Sequence, residues 1–176
     1  MLFGDSIFER MIRLGYFLPN TFNAGVGGDG IEHMMWRVEN GAFDNTINLE
    51  RVIIMAGANN TERCTVDQMF NGFCNLVQMI ANIKPGIEIT ILAIPFRISV
   101  MDKRGNHSDT LTSQVNSKIL DYNTRLKIFA NSTRLTNYTS GFEDITSELF
   151  DPQFYCDHIH FNENGYAAFY SCLKNI

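Results

Sequence analysis

Basic residues, cysteines and long apolar runs are all scarce in this 176-residue sequence. Its 14 lysine and arginine residues are outnumbered by 19 aspartate and glutamate residues, and they form no cluster. Because nucleic-acid binding depends on basic side chains grouped against phosphates, this composition argues against a nucleic-acid partner. No apolar run reaches the ~18 residues of a membrane span, so no transmembrane segment is expected.

The cysteines show no pattern that would indicate a disulfide framework. Cys64, Cys74, Cys156 and Cys172 lack CxxC spacing and are too few for a disulfide scaffold. We interpret them as reduced side chains, with a pair forming only if the protein is secreted. The chain enters strand-like residues at Met1 with no leader, which favours the cytoplasm unless a leader has been removed.

Two apolar segments predict buried parallel strands joined by a helix. They are "RVIIMAG" (Arg51–Gly57) and "IEITILAIP" (Ile87–Pro95), both rich in β-branched residues. Between them, apolar residues recur at helical spacing over 66–81, and Thr65 with Gln68 forms a capping-box signature at the start. Strand, helix and strand in this order predict a βαβ unit.

The same alternation continues on both sides of this unit. Further helices are predicted at 31–38, 115–129 and 163–173, and short strands near 1–3, 21–24 and 134–138. With 45% hydrophobic residues, the chain can bury one sizeable core. We therefore predict a single domain over residues 1–176, of the α/β class. Its architecture is a three-layer α/β/α sandwich around a central, mostly parallel sheet of about five strands.

Four polar loops lie where such a fold places its chemistry. They are "GDS" (Gly4–Ser6), "GVGGDG" (Gly25–Gly30), "GANN" (Gly57–Asn60) and "DHIH" (Asp157–His160). The first three follow predicted strands, and the last precedes the final helix. Because open α/β sheets bind substrates at the carboxyl ends of their strands, we expect these loops to meet in one site.

Ser6 is a candidate nucleophile at the start of a helix predicted from about Ile7. A serine becomes a strong nucleophile only when a neighbouring base takes its proton. Backbone N–H groups at a helix start also favour negative charge. The alternative is that Asp5 and Ser6 only cap this helix.

The glycine-rich loop and the asparagine loop could each supply hydrogen-bond donors. "GVGGDG" lacks the lysine of a phosphate-binding loop, but it leaves Gly28 a free N–H. The alternative is a flexible turn with Asp29 as helix cap. The Asn59 amide could point at a developing oxyanion, with Asn60 holding the loop together. Asparagines after a strand are also common in plain turns.

The "DHIH" stretch predicts acid–base chemistry. Asp157 and His160 lie three residues apart, so the carboxylate can orient the imidazole of a general base. His158 is expected to point to the other side of the loop. A metal site through these three residues is the alternative, but it needs further ligands. Neither His33 nor His107 follows a predicted strand with suitable neighbours.

Together these blocks resemble the SGNH (GDSL-type) hydrolases, whose four blocks supply serine, glycine, asparagine and histidine. The matching residues are Ser6, Gly28, Asn59 and His160, with Asp157 three residues before the histidine. The stretches "NAGVGGDGIEHMMWRVENG", "GANN" and "DHIHFNENGY" are more closely similar to the catalytic subunits of the intracellular (Ib-type) platelet-activating factor acetylhydrolases. The resemblance implies an SGNH-hydrolase, flavodoxin-like fold.

The resemblance also implies a serine esterase that removes short acyl groups, typically acetyl, without a metal or other cofactor. Its oxyanion hole would be formed by the N–H groups of Ser6 and Gly28 and by the side chain of Asn59. His33 would be a structural residue on a helix. The partners implied are a small ester of a lipid or a sugar, a second copy of the chain, and a WD-repeat regulatory protein.

Residues beside the catalytic candidates predict the size of the acyl pocket. These are Ile7, Ala58 and Ile159, and two of the three are bulky, which favours an acetyl group. Where the family has L-P-R-G, this chain has "IPFRI", so no role is expected for Arg97. We interpret the polar segment 99–113 as a surface loop; the alternative is an active-site flap.

Three other functions remain open at this point. A carbohydrate O-acetylesterase would use the same residues on a different leaving group. A non-catalytic interaction subunit would keep the fold without turnover. A metal-dependent hydrolase would use the histidines of "DHIH" as ligands.

Overall fold

The sheet of this protein is parallel throughout. The computed structural model describes residues 1–44, 48–132 and 138–176. In these ranges the sheet has five strands in the order β2-β1-β3-β4-β5. The strands are β1 (Leu2–Gly4), β2 (Asn23–Gly25), β3 (Arg51–Met55), β4 (Ile87–Leu92) and β5 (Tyr138–Glu143).

The central strands form because their residues suit burial on both faces. In β3, Val52, Ile53 and Ile54 are all buried, as are Ile89 and Ile91 in β4. Such continuous apolar runs are typical of parallel strands covered on both sides. The predicted βαβ unit is confirmed. The strand expected near 134–138 falls mostly outside the described residues, and the observed β5 begins at Tyr138.

Six α-helices of the described ranges cover the two faces of the sheet. They are α1 (Ser6–Arg13), α2 (Ile31–Glu39), α3 (Val66–Ile83), α4 (Asp109–Ser132), α5 (Ile145–Glu148) and α6 (Glu163–Leu173). None of these helices has both the length and the apolar character needed to cross a membrane.

Ring contacts show how the helices divide between the faces. Phe8 of α1 and Phe169 of α6 have ring centroids 6.2 Å apart, so these helices share one face. Phe73 of α3 and Tyr122 of α4 lie 6.4 Å apart on the opposite face, where α2 packs against α3. Right-handed crossovers produce this division, because the chain moves one way from β1 to β2 and the other way from β2 through β5. The three-layer α/β/α prediction is confirmed.

The segment after β4 differs from the expectation in one respect. Helix α4 begins at Asp109, six residues before the predicted start at Val115, and so includes the end of the predicted 99–113 loop. The preceding residues form a loop with an isolated antiparallel bridge between Met101 and His107. In the described part of the chain, this loop does not line the cavity that contains Ser6 and His160. Its position agrees with a surface loop rather than an active-site flap.

The strand order determines where a substrate can enter. The crossover from β1 goes to β2 on one side, whereas the crossover from β3 goes to β4 on the other. In open parallel sheets such a reversal leaves a crevice outside the carboxyl ends of the two strands. Ser6 follows β1 and Asn59 follows β3, so both residues lie at this crevice.

Candidate active site

Asp5 caps helix α1 and leaves the neighbouring serine hydroxyl free for another role. Its Oδ1 atom accepts a hydrogen bond from the Ile7 N–H at 3.0 Å. Burial raises the pKa of Asp5 to about 6, although the Ile7 N–H and the positive charge of Arg97 oppose this shift. The alternative that Asp5 and Ser6 both cap the helix therefore holds for Asp5 but not for Ser6.

Ser6, His160 and Asp157 form a continuous chain of hydrogen bonds. Ser6 Oγ lies 2.8 Å from His160 Nε2. His160 Nδ1 lies 2.7 Å from Asp157 Oδ2. With a proton on Nδ1 donated to the carboxylate, Nε2 is free to accept the serine proton. The arrangement can therefore move a proton from the hydroxyl to the imidazole.

The loop before α6 holds the carboxylate and the imidazole in place through its own backbone. Asp157 Oδ1 accepts hydrogen bonds from the N–H groups of Ile159 and His160, at 2.9 and 2.7 Å. The loop is closed at its base by a bridge between Tyr155 and Phe161. Partial burial alone would raise the pKa of Asp157, but the two N–H groups and the imidazole outweigh it and lower that pKa to about 2. The carboxylate is therefore ionised at any ordinary pH.

The same surroundings keep the imidazole neutral. Burial lowers the pKa of His160, and the nearby charges of Arg10 and His158 lower it further, while Asp157 acts in the opposite direction. The net shift is downward. A neutral imidazole is the form that can accept a proton.

We expect the activity of this site to persist into mildly acidic solution. If His160 acts as a general base, it works only when unprotonated, so kcat/KM falls as the pH drops through its pKa. Because that pKa is lowered, the acidic midpoint should lie below the ordinary histidine value of about 6.5. A pH–rate profile of p-nitrophenyl acetate hydrolysis measures it, corrected for the spontaneous reaction at each pH. A midpoint clearly above 6.5 would contradict a lowered pKa for His160.

The loop after β3 is held against the loop after β2 by its two asparagines. Asn60 Oδ1 accepts the Ile31 N–H at 3.0 Å, and its Nδ2 donates to Glu32. Asn60 thus ties the loop to the first turn of α2. Asn59 Nδ2 donates one hydrogen to the Asp29 carbonyl at 3.0 Å, which leaves its second N–H for another acceptor.

The glycine-rich loop lies directly beside the serine. A Cβ atom placed on Gly27 would be 3.9 Å from the Ser6 Cβ. Gly28 has a φ of 82°, a left-handed conformation that favours glycine, and its N–H has no hydrogen-bond acceptor within the described ranges. The alternative that Asp29 caps α2 is wrong. The N-cap is Gly30, and the Asp29 carboxylate pairs with Arg37 at 2.7 Å.

A cavity of about 450 Å³ opens over Ser6, Asn59 and His160, whereas Gly28 and Asp157 are not among its lining residues. It is lined by Ser6, Asn59, Glu62, Arg63, Arg97, His158, Ile159 and His160. Of the three residues predicted to form the acyl pocket, only Ile159 borders it. Ile7 is fully buried because it lies about 100° around α1 from Ser6 and faces the core, and Ala58 is also buried.

Comparison with known proteins identifies the family to which these features belong. The family model of the GDSL-like lipase/acylhydrolases matches residues 2–168. The chain belongs to the GDSL-like lipase/acylhydrolase family. The family predicted from the four loops is thus confirmed.

Individual relatives agree with this family. Over 96 residues, which are 52% of this chain, the GDSL-like acylhydrolase is 31% identical to the platelet-activating factor acetylhydrolase IB subunit alpha1 of Rattus norvegicus. The match spans only 40% of the length of that relative. A GDSL-like lipase from Bacteroides thetaiotaomicron has the same fold, with a TM-score of 0.76, 18% identity, and coverage of 99% of this chain and 84% of that one. An acetyl-xylooligosaccharide esterase from a Geobacillus species also has this fold, with a TM-score of 0.69 and 18% identity. That match covers 99% of this chain and 91% of the esterase.

Arg97 of this GDSL-like acylhydrolase lines the cavity, although the sequence predicted no role for it there. It is only 5% exposed, and its Nη2 atom donates to the Ala58 carbonyl at 2.9 Å. Burial lowers its pKa, and Glu62, Asp5 and Asp157 counteract that effect. The signal that could have revealed it is a lone cation five residues after a buried strand, in an otherwise apolar stretch.

His158, which was expected to point to the other side of the loop, lines the same cavity as His160. His33 and His107 take structural or surface positions. His33 Nδ1 accepts the Gly30 N–H at 2.9 Å, which makes it a capping residue of α2, as the resemblance implied. His107 pairs with Asp109 on the surface at 2.8 Å. Across residues 1–44, 48–132 and 138–176, no three His, Cys, Asp or Glu side chains are grouped as metal ligands would be.

Proposed function

We propose that this GDSL-like acylhydrolase is a serine esterase that removes a short acyl group, acetyl above all, from an ester. The observation that carries the proposal is the hydrogen-bonded chain from Ser6 Oγ through His160 to Asp157. In this proposal Ser6 is the nucleophile, His160 the general base and Asp157 the group that orients the imidazole.

The first half of the reaction forms an acyl-enzyme. His160 Nε2 takes the proton of Ser6 as its Oγ bonds to the ester carbonyl carbon, and the carbonyl oxygen becomes an oxyanion. The tetrahedral intermediate then collapses, the bond to the leaving oxygen breaks, and the imidazolium gives its proton to the alcohol. Asp157 stabilises the imidazolium without taking its proton.

The second half repeats the cycle with water as the nucleophile. His160 removes a proton from water as its oxygen attacks the acyl carbon. Collapse of the new intermediate returns the proton to Ser6 and releases the carboxylic acid. No cofactor is needed to balance either half.

The oxyanion would be held by three donors at the crevice. These are the Ser6 N–H at the start of α1, the free Gly28 N–H and the second N–H of Asn59. Preorganised donors of this kind stabilise charge that develops only in the transition state. The contact from Asn59 to the Asp29 carbonyl supports the proposal, because it fixes the amide before substrate binds.

The lining of the cavity supports a short acyl group. Among the described residues that line it, Ile159 is the one aliphatic side chain, and the others are polar or charged. A long alkyl chain would lie against Glu62, Arg63 and His158, where its methylenes would leave water without gaining apolar contacts. The same polar wall favours a second candidate, an esterase that removes acetyl groups from carbohydrate hydroxyls.

We expect the enzyme to prefer short p-nitrophenyl esters. The kcat/KM for the acetate should exceed that for the octanoate by about tenfold or more, since a pocket that fails to accommodate even one methylene group discriminates by roughly 1–3 kcal/mol. Parallel assays with EDTA should give the same rates. Efficient octanoate hydrolysis would contradict the short-acyl proposal, and loss of activity with EDTA would contradict the metal-free mechanism.

The leaving group can be tested with natural acetyl esters in the same way. Acetylated xylo-oligosaccharides and a short-chain acetylated ether phospholipid would be compared by measuring the acetate released. Faster turnover of the sugar ester favours the carbohydrate candidate, and faster turnover of the lipid favours a platelet-activating factor acetylhydrolase-like enzyme. Pairing with a second copy and binding of a WD-repeat protein stay predictions of the family resemblance.

A further inference from the structure

Besides Ser6, helix α1 carries a charged residue that contacts the loop of Asp157. Arg10 lies four residues after Ser6, one turn along the same side of the helix. Its Nη2 atom is 3.6 Å from Asp157 Oδ2, the oxygen that also contacts His160. Its Nη1 atom is 3.5 Å from the Cys156 sulfur, in the same loop.

We propose that Arg10 is a positioning residue, which holds the Asp157–His160 turn on the helix that carries the nucleophile. This inference rests on the esterase function proposed above. Arg10 does not contact the serine hydroxyl or the space above it, so it acts through Asp157. One helix then positions both ends of the hydrogen-bonded chain, the hydroxyl at its first turn and the carboxylate at its second.

The geometry explains what such a contact would control. The turn of Asp157 is stabilised internally by its own N–H bonds, but these do not set its distance from Ser6. A cation on α1 that attracts Oδ2 ties the turn to the nucleophile helix. At 3.6 Å the contact is an ion pair rather than a hydrogen bond, so it holds the turn through the attraction between the two charges.

The contact also affects the base electrostatically. Arg10 lies near enough to oppose protonation of His160, as does His158, whereas Asp157 favours protonation. In the described ranges, the other charged or titratable groups near the pair include Asp5, Glu62, Arg63, Arg97, Cys156, Glu163 and Tyr166. All of these are unchanged when Arg10 alone is replaced. Loss of the Arg10 charge should therefore make the imidazole easier to protonate.

The test compares Arg10→Gln, Arg10→Lys and the matched control Arg13→Gln. Arg13 lies on the same helix but pairs with Glu9 and makes no contact with Asp157. The His160 pKa is measured by NMR titration of its ring protons, assigned with a His160→Gln variant. This measurement needs no turnover, so it remains informative even if the esterase function is wrong. The kcat and KM for p-nitrophenyl acetate are measured on the same proteins.

We expect Arg10→Gln to raise the His160 pKa and to lower kcat at pH 7 by about threefold to fivefold, with KM unchanged. Both groups of the ion pair are 34% exposed, which keeps the effect modest. Arg10→Lys should restore the pKa, because it keeps the charge, and Arg13→Gln should match the wild type. An Arg10→Gln protein with the wild-type His160 pKa and kcat would overturn the proposal. A lysine variant that titrates like the glutamine variant would also overturn it.

Discussion

Ser6→Ala is expected to lower kcat/KM for p-nitrophenyl acetate by about 10⁴-fold or more, because no other group can form the acyl-enzyme. The fold should be unaffected. Asp5, not Ser6, caps α1, and alanine is a good helix former at the first helical position. The measurement is a steady-state assay beside a thermal melt of the same protein.

A second serine provides the matched control for this experiment. Ser171 is exposed on α6, so Ser171→Ala makes the same chemical change away from the cavity. It should leave the rate unchanged. Activity that survives in Ser6→Ala with an unaltered melt would remove the serine mechanism and direct attention to the histidines of the same cavity.

Asp157→Asn is expected to lower kcat by about 10³- to 10⁴-fold while the loop keeps its shape. The asparagine oxygen can still accept the N–H groups of Ile159 and His160, which Asp157 Oδ1 accepts in the wild type. Its NH₂ group would then face His160 Nδ1 and force the imidazole proton onto Nε2. That tautomer cannot accept the proton of Ser6.

The control for this substitution is another aspartate–histidine pair. Asp109 contacts His107 at 2.8 Å on the surface, so Asp109→Asn disrupts a comparable pair outside the site. The rate of that variant should equal the wild-type rate. Full activity in Asp157→Asn, with a normal circular dichroism spectrum, would show that the carboxylate has no part in the reaction.

The elements with a strong local signal could be predicted from the sequence. Strands β3 and β4 are continuous β-branched runs, and α3 has both an apolar stripe and the observed Thr65–Gln68 capping box. Alternation of strands and helices then left few topologies, because parallel crossovers are right-handed. The four loops follow from that topology, since they lie at strand ends.

Elements without a strong local signal were placed less well. The first residues of α4, "DTLTSQ", are almost all polar, so helical periodicity begins only at Val115. Strand β5, "YTSGFE", has two apolar residues and a glycine, and it pairs along its whole length with β4 alone. Its position depends on that partner strand, which local sequence does not encode.

The lining of the cavity was the least predictable part. Adjacency to catalytic residues suggested Ile7 and Ala58, but neighbours on a helix point in different directions, and both face the core. The motif around Arg97 departs from that of the family, so the resemblance predicts no role for this residue. Its burial depends on the Ala58 carbonyl, 39 residues away in the sequence, and only the folded chain brings the two together.

The contact between Ser6 and His160 joins residues that are 154 positions apart. If helix α6 and the loop before it come away from the sheet, the hydroxyl loses its base even where β1 stays paired with β3. Under the proposed mechanism, ester hydrolysis therefore requires the last helix to be docked as well as the sheet to be intact. In mild denaturant, loss of hydrolysis should coincide with loss of the sheet or precede it, and it cannot follow. An ester assay thus serves as a sensitive gauge of partial unfolding in this protein.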